Sequence, residues 1–151
     1  MILNGLTDFS QRFADHLFVC FPELAKYGRA DEGALVVEIP SPASSKRGLI
    51  IATDENEISL GFDNWHAHVG DEATNEAQKF ELATQLVHDF FHERVMVAAK
   101  FKDKQFVGAK LLRSDEPLEA EPPVEPGERL FVRSFSGTHD ANYQSNETIK
   151  H

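Results

Sequence analysis

Three runs of strand character follow one another between Ala34 and Phe62: ALVVEI, LIIAT and EISLGF. Only Pro40 with the loop SPASSKRG, and the turn Asp54-Glu55-Asn56, separate them. Connections that short force neighbouring strands to run antiparallel, because a parallel crossover needs a dozen or more residues. In the last run Ile58, Leu60 and Phe62 alternate with Glu57, Ser59 and Gly61, the period of a strand buried on one face. That face has to be covered by segments that are themselves apolar along one stripe.

Two segments qualify. Leu6, Phe9, Phe13, Leu17, Phe21 and Leu24 recur at three- and four-residue steps, with Cys20 on the same stripe, which predicts an amphipathic helix. Thr7 or Asn4 is placed to cap it and Asp8 to favour its positive end. Pro22 restarts it as the short turn PELAKY, which stops at Gly28. His16 falls off the stripe, as a solvated histidine. A longer helix is expected from Glu72 to about Glu93, with Ala73, Ala77, Phe80, Thr84, Val87 and Phe91 inward, flanked by Ala83 and Phe90.

After it, VMVAAKF and QFVGAKLL read as a hairpin joined through Lys102-Asp103-Lys104-Gln105, and RLFVRSF (Arg129–Phe135) as a last strand. The expected fold is α+β: an antiparallel sheet of about five to six strands with two main helices packed on one face. Residues 1–135 are expected to form one domain, and 136–151 a polar C-terminal tail, in part disordered. A chain of 151 residues buries an adequate core without metal or disulfide. Its single cysteine, Cys20, permits no internal disulfide and no Cys-based zinc site. The N-terminal stretch lacks the pattern of a secretion signal and no apolar run approaches membrane-spanning length, so the expected location is cytoplasmic, with no membrane partner.

Charge narrows the function further. The net charge is −10, and Asp115–Glu128 (DEPLEAEPPVEPGE) carries six carboxylates with no Lys or Arg. Four prolines in that stretch forbid a helix and predict an extended connector or exposed loop. Direct nucleic-acid binding is not expected, since gripping phosphates needs a basic face. Acidity favours a basic partner.

Chemistry concentrates in GFDNWHAHVGDE, Gly61 to Glu72, which holds the only tryptophan and an HxH pair. The core set before it is even-numbered and the apolar set within it (Trp65, Ala67, Val69) is odd-numbered. A bulge or turn at Asp63-Asn64 must therefore exchange the faces. Trp65 then points inward while His66 and His68 point out. The alternative keeps the register and buries both imidazoles, which demands partners for four ring nitrogens. HxH is also a metal-ligand spacing, and the expected helix carries His88 and His92 at i,i+4 within HDFFH. A metal-dependent enzyme or metal-binding protein using His66, His68, His88 and His92 is thus an alternative reading. No GxGxxG, GxxxxGK[ST] or GxSxG motif is present.

The run EISLGFDNWHAHVG, followed by a helix and a strand pair, resembles a signature of small bacterial immunity-type proteins of polymorphic toxin systems. There a strand of the form E-[IV]-[ST]-[VL]-x-F precedes W-H-x-H-[FV]. The closing VRSFSGTHD, Val132 to Asp140, resembles the V-R-S-[WF]-S-G segment of such sequences. Val69 stands here where Phe is usual. The resemblance implies a non-enzymatic protein that occludes a cognate toxin, often a nuclease, without a cofactor. The outward, partner-binding candidates are Asp63, His66, His68, Asp71 and the acidic Glu116, Glu119, Glu121 and Glu125, with Trp65 joining them in the alternative in which it faces out. A monomer or homodimer is expected.

Overall fold

The computed structural model describes residues 3–44, 46–115 and 124–144. The fold is α+β, with nine strands among the described residues divided between two antiparallel sheets, and two main helices. Helix α1 spans Asp8–Cys20 and a short 3-10 turn Pro22–Tyr27. Strands β1 (Gly28–Asp31), β2 (Ala34–Pro40), β3 (Gly48–Asp54), β4 (Glu57–Phe62) and β5 (Trp65–His68) form a five-stranded meander in sequence order. Helix α2 (Glu76–Phe91) leads to β6 (Val95–Lys102), β7 (Gln105–Arg113), β8 (Glu128–Arg133) and β9 (Ala141–Gln144), which pair in the order β7-β6-β8-β9.

The local signals explain most of these elements. Thr7 caps α1, its side chain accepting from Ser10 N, and Pro22 ends the helix by opening the 3-10 turn. Asn75 and Gln78 close a reciprocal capping box, so α2 begins at Glu76 and not at Glu72. Phe9, Phe13 and Leu17 of α1 and Phe80, Ala83, Val87 and Phe90 of α2 are buried against the odd-numbered residues of β2 and β3 and the even-numbered residues of β4. Phe80 lies between Phe9 and Phe13, ring centroids 5.6 and 5.3 Å away. Ser10 is buried with its hydroxyl 2.6 Å from that of Thr53, and Thr53 also accepts Leu35 N at 2.9 Å. This polar thread fixes α1 on the sheet while leaving no hydroxyl unpaired.

Several elements differ from expectation. Strands β6 to β9 build a second sheet instead of extending the first. Five consecutive residues of β6, Val95 to Ala99, are buried. Val95 and Val97 join the main core, and Met96 and Ala98 form a small second core with Val132 on the other face. Strand β1 was not foreseen: three of its four residues are exposed, so it has no apolar face to recognise. Its turn to β2 is Glu32-Gly33, both at positive φ, the backbone of a tight hairpin. The stretch after 135 is in part folded, as β9 pairs with β8. Cys20 is exposed, with Sγ 4.0 Å from His16 Nε2, because the apolar stripe passes to Phe21 and Leu24 where the chain turns. His16 is half-buried, its ring 5.5 Å from that of Phe80. Among the described residues no helix is long and apolar enough to cross a membrane.

The two helices are also joined by charge. Arg12 donates from Nε and an Nη to both oxygens of Glu76, at 2.9 and 2.8 Å. This hydrogen bonding holds the Glu76 carboxyl below the usual carboxylate range. A depressed value means the contribution is complete above the ordinary carboxylate pKa and is lost as pH falls through the lower folded one. In an NMR titration Glu76 is expected to protonate below the ordinary carboxylate range, and Arg12→Ala to raise its midpoint back toward that range. Identical curves in the two proteins would contradict the ion pair.

Candidate functional site on the open face of the first sheet

Asp63 and Asn64 form a two-residue turn, so Phe62 pairs with Trp65 across the β4–β5 hairpin. Directly paired residues share a face. The turn therefore resets the parity: even residues of β4 match odd residues of β5. Trp65 and Ala67 face the core, and His66 and His68 face the other way and are exposed. Asp63 sits at φ 55, a left-handed conformation that Asp tolerates through its short polar side chain. The indole of Trp65 is half-buried, 5.8 Å from the Phe90 ring.

The face carrying the imidazoles lies opposite the helices. Register places Glu38, Ile50, Gly61 and His66 in one row across β2 to β5, and Val36, Ala52, Ser59 and His68 in the next. Ile50 is 44% exposed although it lies on a central strand, which identifies this face as open. A cavity of about 630 Å³ is set into it, lined by Glu38, Lys46, Ile50, Gly61, Asp63 and His66 among others. His68 lies outside that cavity. Its Nδ1 is 2.8 Å from Ser59 Oγ and 3.6 Å from Glu57 Oε2.

The meander brings the β1–β2 and β3–β4 turns to one end of the sheet. Asp31, Glu32, Asp54, Glu55 and Glu57 are all exposed there. The opposite end is built from the β2–β3 loop, the Asp63-Asn64 turn and the VRSFSGTHD segment. Arg47 donates from Nη1 to Ser134 O and to both Asp140 oxygens, at 3.2, 3.1 and 2.9 Å. Asp140 Oδ1 also accepts Ser134 N, Ser41 Oγ donates to Phe135 O, and Ser136 N donates to Glu93 Oε1. Phe135 packs on Phe91 and Phe62, with centroids 5.1 and 6.3 Å apart. Phe135 of the closing segment thus meets Phe62 of β4, while Arg47 of the β2–β3 loop holds the closing segment at Ser134 and Asp140.

The other candidates are dispersed. Asp71 is exposed but occupied within the turn before α2, accepting Ala73 N at 2.8 Å and the Thr74 hydroxyl at 3.0 Å. Glu125 is exposed in the loop ahead of β8, its backbone N–H donating to Glu128. Glu116, Glu119 and Glu121 lie outside the described residues. His88 and His92 stack with ring centroids 4.0 Å apart on α2, and His92 Nδ1 is 2.9 Å from His88 O. Because α2 packs on the core side, through Phe90 to Phe62 and Trp65, the sheet separates this pair from His66 and His68. The four histidines do not converge, and among the described residues no group of three or more His, Cys, Asp or Glu side chains is placed to hold a metal ion. Reasoning from sequence missed Glu38, Ile50 and Gly61 as parts of the cavity. The signal for Gly61 was available, a lone glycine inside an alternating strand.

Comparison with protein-family models, with characterised proteins and with solved structures found no match.

Proposed function

We propose that this protein is a non-enzymatic, acidic binding module of the immunity type, which neutralises a cognate toxin in the cytoplasm by covering its active site. The observation that carries this reading is the open outer face of the first sheet. It presents exposed Ile50, His66 and His68 with Asp63 and Glu38 beside them, and five exposed carboxylates stand at one end. Strands β2, β3 and β5 and the turn before β5 hold these side chains from a backbone whose other face is core, so little ordering is lost on binding. The net charge of −10 complements a basic toxin. A nuclease, which needs Lys and Arg to hold phosphates, is the leading class.

Co-expression with a toxin encoded beside it tests the proposal. Restored growth and a stable complex are expected, with an association rate that falls as salt is raised. The absence of both rescue and complex would overturn it. The metal-binding reading keeps two separate histidine pairs among the described residues. Each falls short of the three protein ligands of a catalytic zinc site.

A further inference from the structure

We propose that the cavity floored by Gly61 is a socket for an arginine side chain presented by the partner, with lysine a weaker occupant. The partner's identity rests on the immunity reading, whereas the chemistry of the socket stands on its own residues.

Gly61 is the starting point because the fold gives no reason for it. Glycine within a strand weakens it and marks a bulge, an unusual φ or a close approach by something else. The ladder runs regularly through this position, with Ile50 and His66 as its partners on either side. Its φ is not in the left-handed region, and a β-carbon built there would meet nothing nearer than His66 Cβ and Trp65 O, both at 3.7 Å. That is ordinary van der Waals contact. The backbone would accept a side chain, and the effect of having none is to open the floor of the cavity between Ile50 and His66. What remains of the three explanations is close approach by a ligand.

The walls say which ligand. Ile50 and the bare Gly61 backbone offer an apolar bed, and the carboxylates of Glu38 and Asp63 both line the cavity. An occupant with an aliphatic stem and a cationic head satisfies both, laying its methylenes on Ile50 and carrying its charge to the acids. An anionic occupant would meet two carboxylates, and an apolar one would strand them. Lys46 also lines the cavity, exposed on the β2–β3 loop and in no ion pair there, and since Glu38 has a cation from β1 the acid without one among the described residues is Asp63. The fold already shows the pairing: Arg29 of β1 reaches Glu38 at 3.3 Å on this same face, with both side chains more than half exposed. A guanidinium is favoured over an ammonium because its planar fork can bond a carboxylate twice and lie flat against the His66 ring. At about 630 Å³ the cavity is within the range of small-ligand sites and holds one such side chain with the backbone that carries it.

The test is a titration followed by ¹⁵N–¹H correlation spectra, with N-acetyl-arginine methylamide as probe and the lysine and aspartate analogues as comparisons. Saturable shifts are expected at Ile50, Gly61 and His66 with the arginine compound, weaker ones with lysine and none with aspartate. Gly61→Phe fills the socket and is expected to reduce the affinity at least tenfold, and Gly61→Val serves in the same way should the phenylalanine variant fold poorly. Asp63→Asn should weaken binding without altering the spectrum elsewhere. Shifts that persist in the filled variants, or that the aspartate compound matches, would overturn the socket, as would no arginine response at these residues. Arginine binding without toxin rescue would sink the immunity reading alone, and rescue without arginine binding would sink the socket alone.

Discussion

Replacing Phe90 with alanine is expected to lower the unfolding free energy by about 3–5 kcal/mol, as large-to-small changes at buried aromatic positions do. Phe90 has no exposed surface, and its ring lies 5.3 Å from Phe62 and 5.8 Å from Trp65. It is where α2 bears on the β4–β5 hairpin, so the void left behind opens directly beneath the candidate site. Phe62 belongs to β4, which is paired on both sides, and this limits the collapse of its ring into the space. Urea denaturation measures the loss, and near-ultraviolet circular dichroism reports whether Trp65 loses its fixed packing. Phe106→Ala is the control: that side chain is 51% exposed, and a change within about 0.5 kcal/mol is expected. A loss below 1 kcal/mol for Phe90→Ala would contradict the packing described.

The second large effect concerns the clasp. Arg47→Ala is expected to destabilise the fold by roughly 2–3 kcal/mol, because it leaves Asp140 without its cation and takes from Ser134 O one of its two donors, the other being Gly137 N. The side chain of Arg47 is 13% exposed, so water replaces those bonds poorly. Asp140→Asn keeps the shape but removes the charge and should lose less. The outcome is local as well as global: amides of Gly137, His139 and Asp140 should exchange faster in Arg47→Ala, ahead of any change in β2 or β3. Unaltered exchange in that loop would show that the arginine does not hold it.

How far the sequence foretold this arrangement depends on whether the signal was local. The inward indole and outward imidazoles followed from parity, an even core set giving way to an odd one, and the two-residue turn at Asp63-Asn64 is the device that exchanges them. The Lys102–Gln105 hairpin and the α1 cap at Thr7 were equally local. The edge strands β1 and β9 escaped notice because they are short and bury little: GRAD has three exposed residues of four, and ANYQ only half-buries Ala141 and Tyr143. The separation into two sheets depends on β6 pairing with both β7 and β8, a long-range choice that no window of residues encodes. The Arg47–Asp140 pair spans 93 positions, so neither residue announces the other. Helix α2 begins four residues after the expected Glu72, because the Asn75–Gln78 capping box fixes its first turn. For the site, Asp63 and His66 share the cavity, while His68 and Asp71 do not, since reversal of the chain at Asp63-Asn64 carries β5 away from it.

The proposed docking of a toxin on the outer face of the first sheet is tested most directly by carboxyl footprinting of the complex recovered on co-expression. Each exposed Asp and Glu is labelled by carbodiimide coupling to an amine, free and in complex, and the yields are read by mass spectrometry. Strong shielding of Asp63, Glu38 and Glu57 is expected, with Asp15, Glu23 and Asp115 labelled as before. Labelling of Asp63 and Glu38 that is unchanged in the complex, with protection elsewhere on the molecule, would contradict the assignment of this face.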